Sequence, residues 1–287
     1  MRGRAGILVG ALLAWCACAI ALDPSLDISQ YAHTAWTIRD GFFKGSVYSI
    51  AQTPDGYLWL GTEFGLLRFE CVRTIPLPPP ADKRLLAGGI NKLVAARDGT
   101  LWIGTFVGVV SLSKGELVPH PELGKNGVMS LLEDRDGTVW AGSLWAPLGR
   151  LCGFRGRSAQ CYGEDGGLGN FVSTLFQDSS GTLRVGSQSG LWRWKPDPSR
   201  KYAMPLTKPS ASDDADIGMW DPGQISALNQ ADDGVLLIAT YGGGLLQLAG
   251  DKVQRYSIRA AANPRRFLQD AELNSNLLLR DRDGGSG

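Results

Sequence analysis

The residues that could do chemistry in this 287-residue chain are five cysteines, two histidines, one suitably placed glutamate and a set of aromatic and amide side chains that recur at fixed places. Cys152 and Cys161 flank residues 153–160, which read as a hairpin loop. Opposed hairpin positions meet disulfide geometry, so the pair predicts a bridge, with two buried thiols as the alternative. Cys71 is then left unpaired. With only His33 and His120 available, no zinc or haem ligand pattern can be assembled, and no metal or cofactor is expected. Hydrolysis or elimination on a saccharide would require convergent acid and base groups. Glu63 is one candidate carboxylate, but no second is clearly placed to pair with it, and no catalytic residue is assigned.

These side chains are positioned by a repeat. Asp98-Gly99-Thr100-Leu101-Trp102-Ile103-Gly104-Thr105 is preceded by Asp55-Gly56-Tyr57-Leu58-Trp59-Leu60-Gly61-Thr62. It is followed by Asp136-Gly137-Thr138-Val139-Trp140-Ala141-Gly142-Ser143 and Ser180-Gly181-Thr182-Leu183-Arg184-Val185-Gly186-Ser187. A weaker copy begins at Asp233-Gly234, and Asp283-Gly284 begins another. Short strands at a period of roughly 40–50 residues are the signature of a propeller array. An apolar lead strand enters each copy, at residues 47–51, 90–94, 128–132, 172–176, 225–228 and 276–279. The Asp-Gly or Ser-Gly pair reverses the chain, the tryptophan strand returns, Gly-Thr ends it, and a third and a more variable fourth strand follow. The fold class is therefore all-β, a propeller of four-stranded antiparallel blades: about five blades plus the first strand of a sixth. A strand-like segment at residues 36–41 precedes the first blade and is placed to complete the last one. Arg184 stands where the repeat has tryptophan, so that wall is more open or the arginine is paired with a carboxylate. Residues 196–217, rich in Pro, Ser and Asp, predict a mobile loop.

If the lead strand is innermost, the Asp-Gly turns share one face of the disc. The segments before each lead strand and after each Gly-Thr share the other. That second face collects Phe43, Lys44, Glu63, Phe64, Phe106, Asn126, Trp145, Asn170, Gln188, Gln224 and Tyr241 as candidate ligand-binding residues. Aromatics mixed with polar groups at a funnel mouth suit a saccharide or another small polar ligand. The alternative, loop residues packing on neighbouring blades, stays open; Trp145 and Tyr241 are the leading candidates.

Arg2 and Arg4, an apolar run over residues 5–22 and the small residues before Asp23 read as a secretory signal peptide cleaved after Ala21. An uncleaved anchor is the alternative. The domain reading is thus 1–21 signal peptide and 22–287 propeller, with a periplasmic destination. The net charge of +1 gives no electrostatic footprint for nucleic acid.

The repeats, together with residues 33–41 and 52–62, resemble the two-component regulator propeller family, found in the periplasmic sensor part of bacterial hybrid histidine kinases and some diguanylate cyclases. The resemblance implies a seven-bladed propeller, here incomplete, often followed by an immunoglobulin-like domain, a membrane helix and a cytoplasmic output domain. No phospho-acceptor box or ATP-binding glycine motif is visible in these residues. Glu70-Cys71 stands where the family usually has Asp-Gly. The implied function is a non-catalytic periplasmic sensor module of a two-component receptor. Its partner would be a small ligand, a saccharide among the candidates, or a periplasmic protein. A homodimer is open, and membrane contact would come only through an anchor or a downstream helix. A saccharide-directed propeller enzyme and a protein-interaction propeller are the alternatives.

Overall fold

An antiparallel meander is what five copies of strand, glycine turn and strand should produce, and each copy forms one. The computed structural model describes residues 44–70, 73–77, 89–144, 148–156, 158–195, 198–205, 224–231, 233–241 and 244–256. The leader, the 36–41 segment, Phe43, Cys71, Trp145 and the 276–279 strand lie outside these residues. Blade one comprises β1 (Val47–Gln52), β2 (Leu58–Thr62), β3 (Gly65–Glu70) and β4 (Arg73–Pro76). Blade two comprises β5 (Ile90–Ala95), β6 (Leu101–Thr105), β7 (Gly108–Ser113) and β8 (Glu116–His120). Blade three follows with β9 (Gly127–Glu133), β10 (Val139–Leu144), β11 (Leu151–Arg155) and β12 (Ser158–Tyr162). Blade four has β13 (Val172–Gln177), β14 (Leu183–Ser187), β15 (Gly190–Lys195) and β16 (Arg200–Tyr202). Blade five has β17 (Ile225–Gln230), β18 (Leu236–Thr240), β19 (Gly244–Ala249) and β20 (Lys252–Arg255). All five sheets keep chain order, one strand beside the next. β16 corrects the expectation of a loop over residues 196–217: three of those residues form the outer strand of blade four.

Successive lead strands pack side by side, β1 on β5, β5 on β9, β9 on β13 and β13 on β17, so they form the inner layer. Four apolar cores lie where one blade meets the next. Trp59 and Leu66 of blade one pack with Ile90, Leu93 and Ile103 of blade two. Leu191 and Tyr202 of blade four pack with Ile225 and Ile238 of blade five. A single sheet has two apolar faces to cover, and only stacking covers both.

The glycine of each Gly-Thr pair sets how close that stacking is. A Cβ on Gly61, Gly104, Gly142 or Gly186 would stand 2.7, 2.6, 2.6 or 2.9 Å from the side chain of Ile90, Val128, Val172 or Ile225, the first inward residue of the next blade. The following Thr or Ser has its own task. Thr62, Thr105, Ser187 and Thr240 donate their hydroxyls to the carbonyls of Gly65, Gly108, Gly190 and Gly244, closing the turn between second and third strands. At the opposite edge, Gly56, Gly99, Gly137, Gly181 and Gly234 all hold φ between 79° and 89°, a region that favours glycine. Blades are also stapled there: the amides of Arg97, Arg135 and Ser179 donate to the side chains of Glu133, Gln177 and Gln230 at the end of the next lead strand.

The residue that opens each turn matches the one six places on. Thr53 Oγ1 accepts from Trp59 Nε1 at 3.0 Å, and Asp134 Oδ2 accepts from Trp140 Nε1 at 2.8 Å. Arg184, in place of tryptophan, is paired with Asp178 Oδ2 at 3.1 Å and donates to the Tyr202 hydroxyl. In blade two the opening residue is Ala96, and Trp102 instead stacks on His120 with ring centroids 4.5 Å apart. Burial holds the His120 imidazole below its ordinary pKa, with Glu122 pulling the other way. In blade five Ala231 faces no such demand, because its partner position is Leu237. β11 and β12 place Cys152 directly opposite Cys161, and a disulfide joins them.

Candidate functional site

The disc face predicted from the repeats is built from two sets of backbone: the turns between second and third strands, and the segments that enter each lead strand. Backbone hydrogen bonds join the two sets within a blade, Glu63 N to Ser46 O, Gln188 N to Phe171 O and Tyr241 N to Gln224 O. Glu63 accepts from the Ser46 amide, and Phe64 lies against Gly45 beside the exposed Lys44. Gln188 Oε1 accepts from the Asn170 amide at 2.7 Å. Asn126 donates to Leu123 O. Phe64 and Phe106 are exposed, and Phe106 meets Tyr48 of blade one edge-on at 6.4 Å. Gln224 is buried, with Nε2 unpartnered. The face thus pairs Glu63 with Phe64, Asn170 with Gln188 and Gln224 with Tyr241. Phe43 and Trp145 lie outside the described residues. Neither cavity described next is lined by any of these predicted residues.

One cavity, of about 180 Å³, lies on the axis among the lead strands β5, β9, β13 and β17. Each lead strand carries a β-bulge at its second inward position, between Val47 and Ser49, Ile90 and Lys92, Val172 and Thr174, and Ile225 and Ala227, with the matching shift opposite β9. A bulge inserts an extra residue and re-aims side chains. Here it brings Lys92, Ser130, Ser173, Thr174 and Ser226 to the wall of the cavity. Ser130 and Ser173 donate to the carbonyls of Val172 and Gly186. The Ser226 hydroxyl, on a residue 6% exposed, has no partner. Among the described residues Lys92 forms no ion pair, and burial lowers the pKa of its ammonium.

The other cavity, of about 390 Å³, is a lateral cleft between blades three and four. Trp140, Tyr162, Trp192 and Trp194 line it, with Tyr162 edge-on to Trp194 at 5.1 Å. Lys195 lies over the Trp140 ring at 5.3 Å and bridges Asp134 and Asp136 at 3.1 and 3.5 Å. Burial would raise the carboxyl pKa of Asp134; hydrogen bonds from Trp140 and Thr138 and the Lys195 ammonium outweigh it and hold the pKa below the usual range. Asp178 is held low in the same way, burial being outweighed by Ser180, Thr182 and Arg184. No grouping of His, Cys, Asp and Glu among the described residues could hold a metal ion. No described helix is long and apolar enough to cross a membrane.

Comparison with known proteins agrees with the architecture. The sequence model of the two-component regulator propeller matches residues 41–64 and 122–145. No curated protein matches the chain in sequence. Among solved structures, the extracellular domain of the putative hybrid two-component system BT3049 from B. thetaiotaomicron is similar, with TM-score 0.53 and 17% identity over 69% of this chain and 26% of that one. The corresponding domain of BT4673 from the same organism gives 0.53 and 19% identity over 75% of this chain and 28% of that one. Virginiamycin B lyase from Staphylococcus aureus gives 0.50 and 14% identity over 75% and 71%. The chain therefore spans about a quarter of each two-component domain it resembles. It is a β-propeller of four-stranded blades, and the two-component regulator propeller model matches two of its repeat units.

Proposed function

We propose that the chain is the ligand-sensing propeller of an exported two-component receptor, non-catalytic in itself, acting in the periplasm. The observation that carries this reading is the pair of family matches. Both fall on the same structural unit, the segment entering a lead strand, that strand, its glycine turn and the returning strand. They fall on a repeated structural element and not on one isolated motif. The extracellular domains of hybrid two-component systems, at 17 and 19% identity, share the fold. The likeness to a lyase shows the fold alone. At the disc face, Glu63 is engaged by the Ser46 amide, which suits a turn-holding role.

Reading the genomic frame past the codon for Gly287 tests the proposal directly. Further repeats leading to a membrane helix and a kinase or cyclase domain are the expected result. A frame that leads to a hydrolase or lyase domain, or to a stop and unrelated sequence, would overturn it.

A further inference from the structure

A third cavity, a lateral cleft of about 710 Å³, lies between blades two and three, and its wall lacks one polar atom that the neighbouring blades supply. The tryptophans of blades one and three give their indole N–H to the residue that opens the turn, Thr53 Oγ1 or Asp134 Oδ2. Blade two keeps the framework of that arrangement. The amides of Ala96 and Gly99 donate to Thr100 O and Ala96 O, as those of Asp134 and Gly137 donate to Thr138 O and Asp134 O. Trp102 stacks on His120 at an interplanar angle of 26°, as Trp140 stacks on Tyr162 at 27°. What is missing is the acceptor: Ala96 has no polar side-chain atom, and the Trp102 N–H has no partner among the described residues. The unpartnered side-chain atoms sealed from solvent belong to Arg68, Arg150, Arg193, Gln224 and Ser226. The Trp102 N–H is not one of them, so it is open to the cleft, which Trp102, 8% exposed, lines together with Ala96.

The group that fits there is defined from both sides. In blade one the Thr53 hydroxyl accepts from the indole and donates to Asp55 Oδ1. Asp98 holds the Asp55 position in blade two, and its Oδ1 accepts the Thr100 amide at 2.8 Å, as Asp55 Oδ1 accepts the Tyr57 amide. A donor and an acceptor thus face one place, and a hydroxyl is both acceptor and donor. A carboxylate, acceptor-only, would meet Asp98 with like charge. The other charges of the wall are engaged, Arg97 with Glu133 at 3.2 Å, Asp136 with Lys195 at 3.5 Å and Arg135 with Ser179 O at 2.9 Å, so the cleft suits a neutral ligand. We propose that this cleft binds a small neutral alcohol with an apolar body. Its oxygen accepts from Trp102 Nε1 and its hydrogen goes to Asp98 Oδ1, while the body covers Val118, 43% exposed, beside Val139 and Phe154. Water alone would satisfy the N–H but would leave that apolar wall wet. The site lies apart from the disc face, and its chemistry rests on these residues and not on the receptor reading.

The test uses the isotope-labelled chain with its disulfide intact, titrated with cyclohexanol and followed by NMR. The Trp102 indole N–H resonance is identified by its loss in Trp102→Phe. Cyclohexanol should move it saturably, with a Kd of about 1–10 mM for so small a ligand. The indole resonances of Trp59 and Trp140, already bonded within the protein, should stay where they are. Cyclohexanone has the same ring and an acceptor but no donor for Asp98, and should bind about three- to tenfold more weakly. Ala96→Thr supplies the hydroxyl from the chain itself, as in blade one, and should weaken cyclohexanol at least about tenfold. Trp102→Phe keeps a ring but no N–H and should weaken it about three- to tenfold, read from the Val118 and Val139 methyl resonances. Three results would each overturn the site: no saturable shift of the Trp102 resonance in the parent, which would mean water alone in the cleft; cyclohexanone binding as tightly as cyclohexanol; or unchanged cyclohexanol affinity in both variants. Any of them would leave the frame test of the sensor reading untouched, and a frame without receptor domains would leave this site standing.

Discussion

Replacing Asp134 by Asn should show how much one buried carboxylate holds two blades together. The side chain is fully buried and accepts four hydrogen bonds, from Trp140 Nε1 at 2.8 Å, Thr138 N at 2.9 Å, Asp136 N at 3.0 Å and Lys195 Nζ at 3.1 Å. Asn has nearly the same volume, so cavity formation is not part of the loss. Its amide has one oxygen, however, and whichever way it turns, its NH2 faces either the indole and ammonium or the two backbone amides. Buried donors deprived of an acceptor cost about 1–3 kcal/mol each, and breaking a buried ion pair costs about 3–5 kcal/mol. Because Lys195 is one-third exposed, the lower end applies: about 3 kcal/mol, or a midpoint lowered by about 6–12 °C for a chain of this size. The folded pKa of Asp134 lies below its unfolded value, so the unfolded chain takes up protons first as pH falls. The stabilisation is therefore complete above the unfolded value of about 3.9 and is lost as pH falls through the folded value. Urea and thermal unfolding followed by tryptophan fluorescence, at pH 7 and in steps below pH 4, would measure both effects. A deficit under about 0.5 kcal/mol at pH 7, or one that persists unchanged in acid, would refute the reasoning.

Three further perturbations probe the same architecture. Gly142→Ala sets a Cβ against Ser130 Oγ of its own blade and 2.6 Å from Val172 Cγ1 of the next, and should destabilise by about 1–3 kcal/mol in urea. Arg184→Leu strands the nearly buried Asp178 carboxylate and should cost about 3 kcal/mol at pH 7, whereas Arg184→Trp should recover most of that by donating to Asp178 as Trp140 does to Asp134. The Arg184→Leu deficit should fade as pH drops through the depressed Asp178 pKa. Reducing the Cys152–Cys161 bridge opens a short loop of nine-residue separation and should lower stability by about 2–3 kcal/mol, read as a lower midpoint with and without reductant.

Repeat number and strand order were legible because the glycine turns and the Leu-Trp-x-Gly-Thr strands recur at one period, and a hairpin meander follows from them. Arg184 was legible as a departure from that pattern, and pairing with a carboxylate was one of its two expected outcomes. β16 was not legible: Arg200–Tyr202 is short and charged, and only edge pairing to β15 makes it a strand. The Gly-Thr glycine was readable as a strand end, but its closeness to the next blade depends on stacking that a single repeat does not contain. Lys92 escaped notice as a cavity-wall residue because a bulge, which has no clear signature in the residues, brings it there. The lateral cleft escaped because Trp140 and Tyr162 come from one blade and Trp192 and Trp194 from the next.

The contact between glycine and branched side chain has a direction. At the four junctions from blade one to blade five the earlier blade offers the bare glycine and the later one offers Ile or Val, never the reverse. Blades two, three and four are thus each a socket toward the successor and a plug toward the predecessor, joined by a common fitting, whereas blade five has Ala239 where the glycine would stand. Unequal recombination among blades two to four would insert or delete a whole blade and still leave each new junction with a matched plug and socket. Such an array can change length by duplication without first evolving a new interface, and variation can accumulate on disc-face turns while the fitting stays fixed.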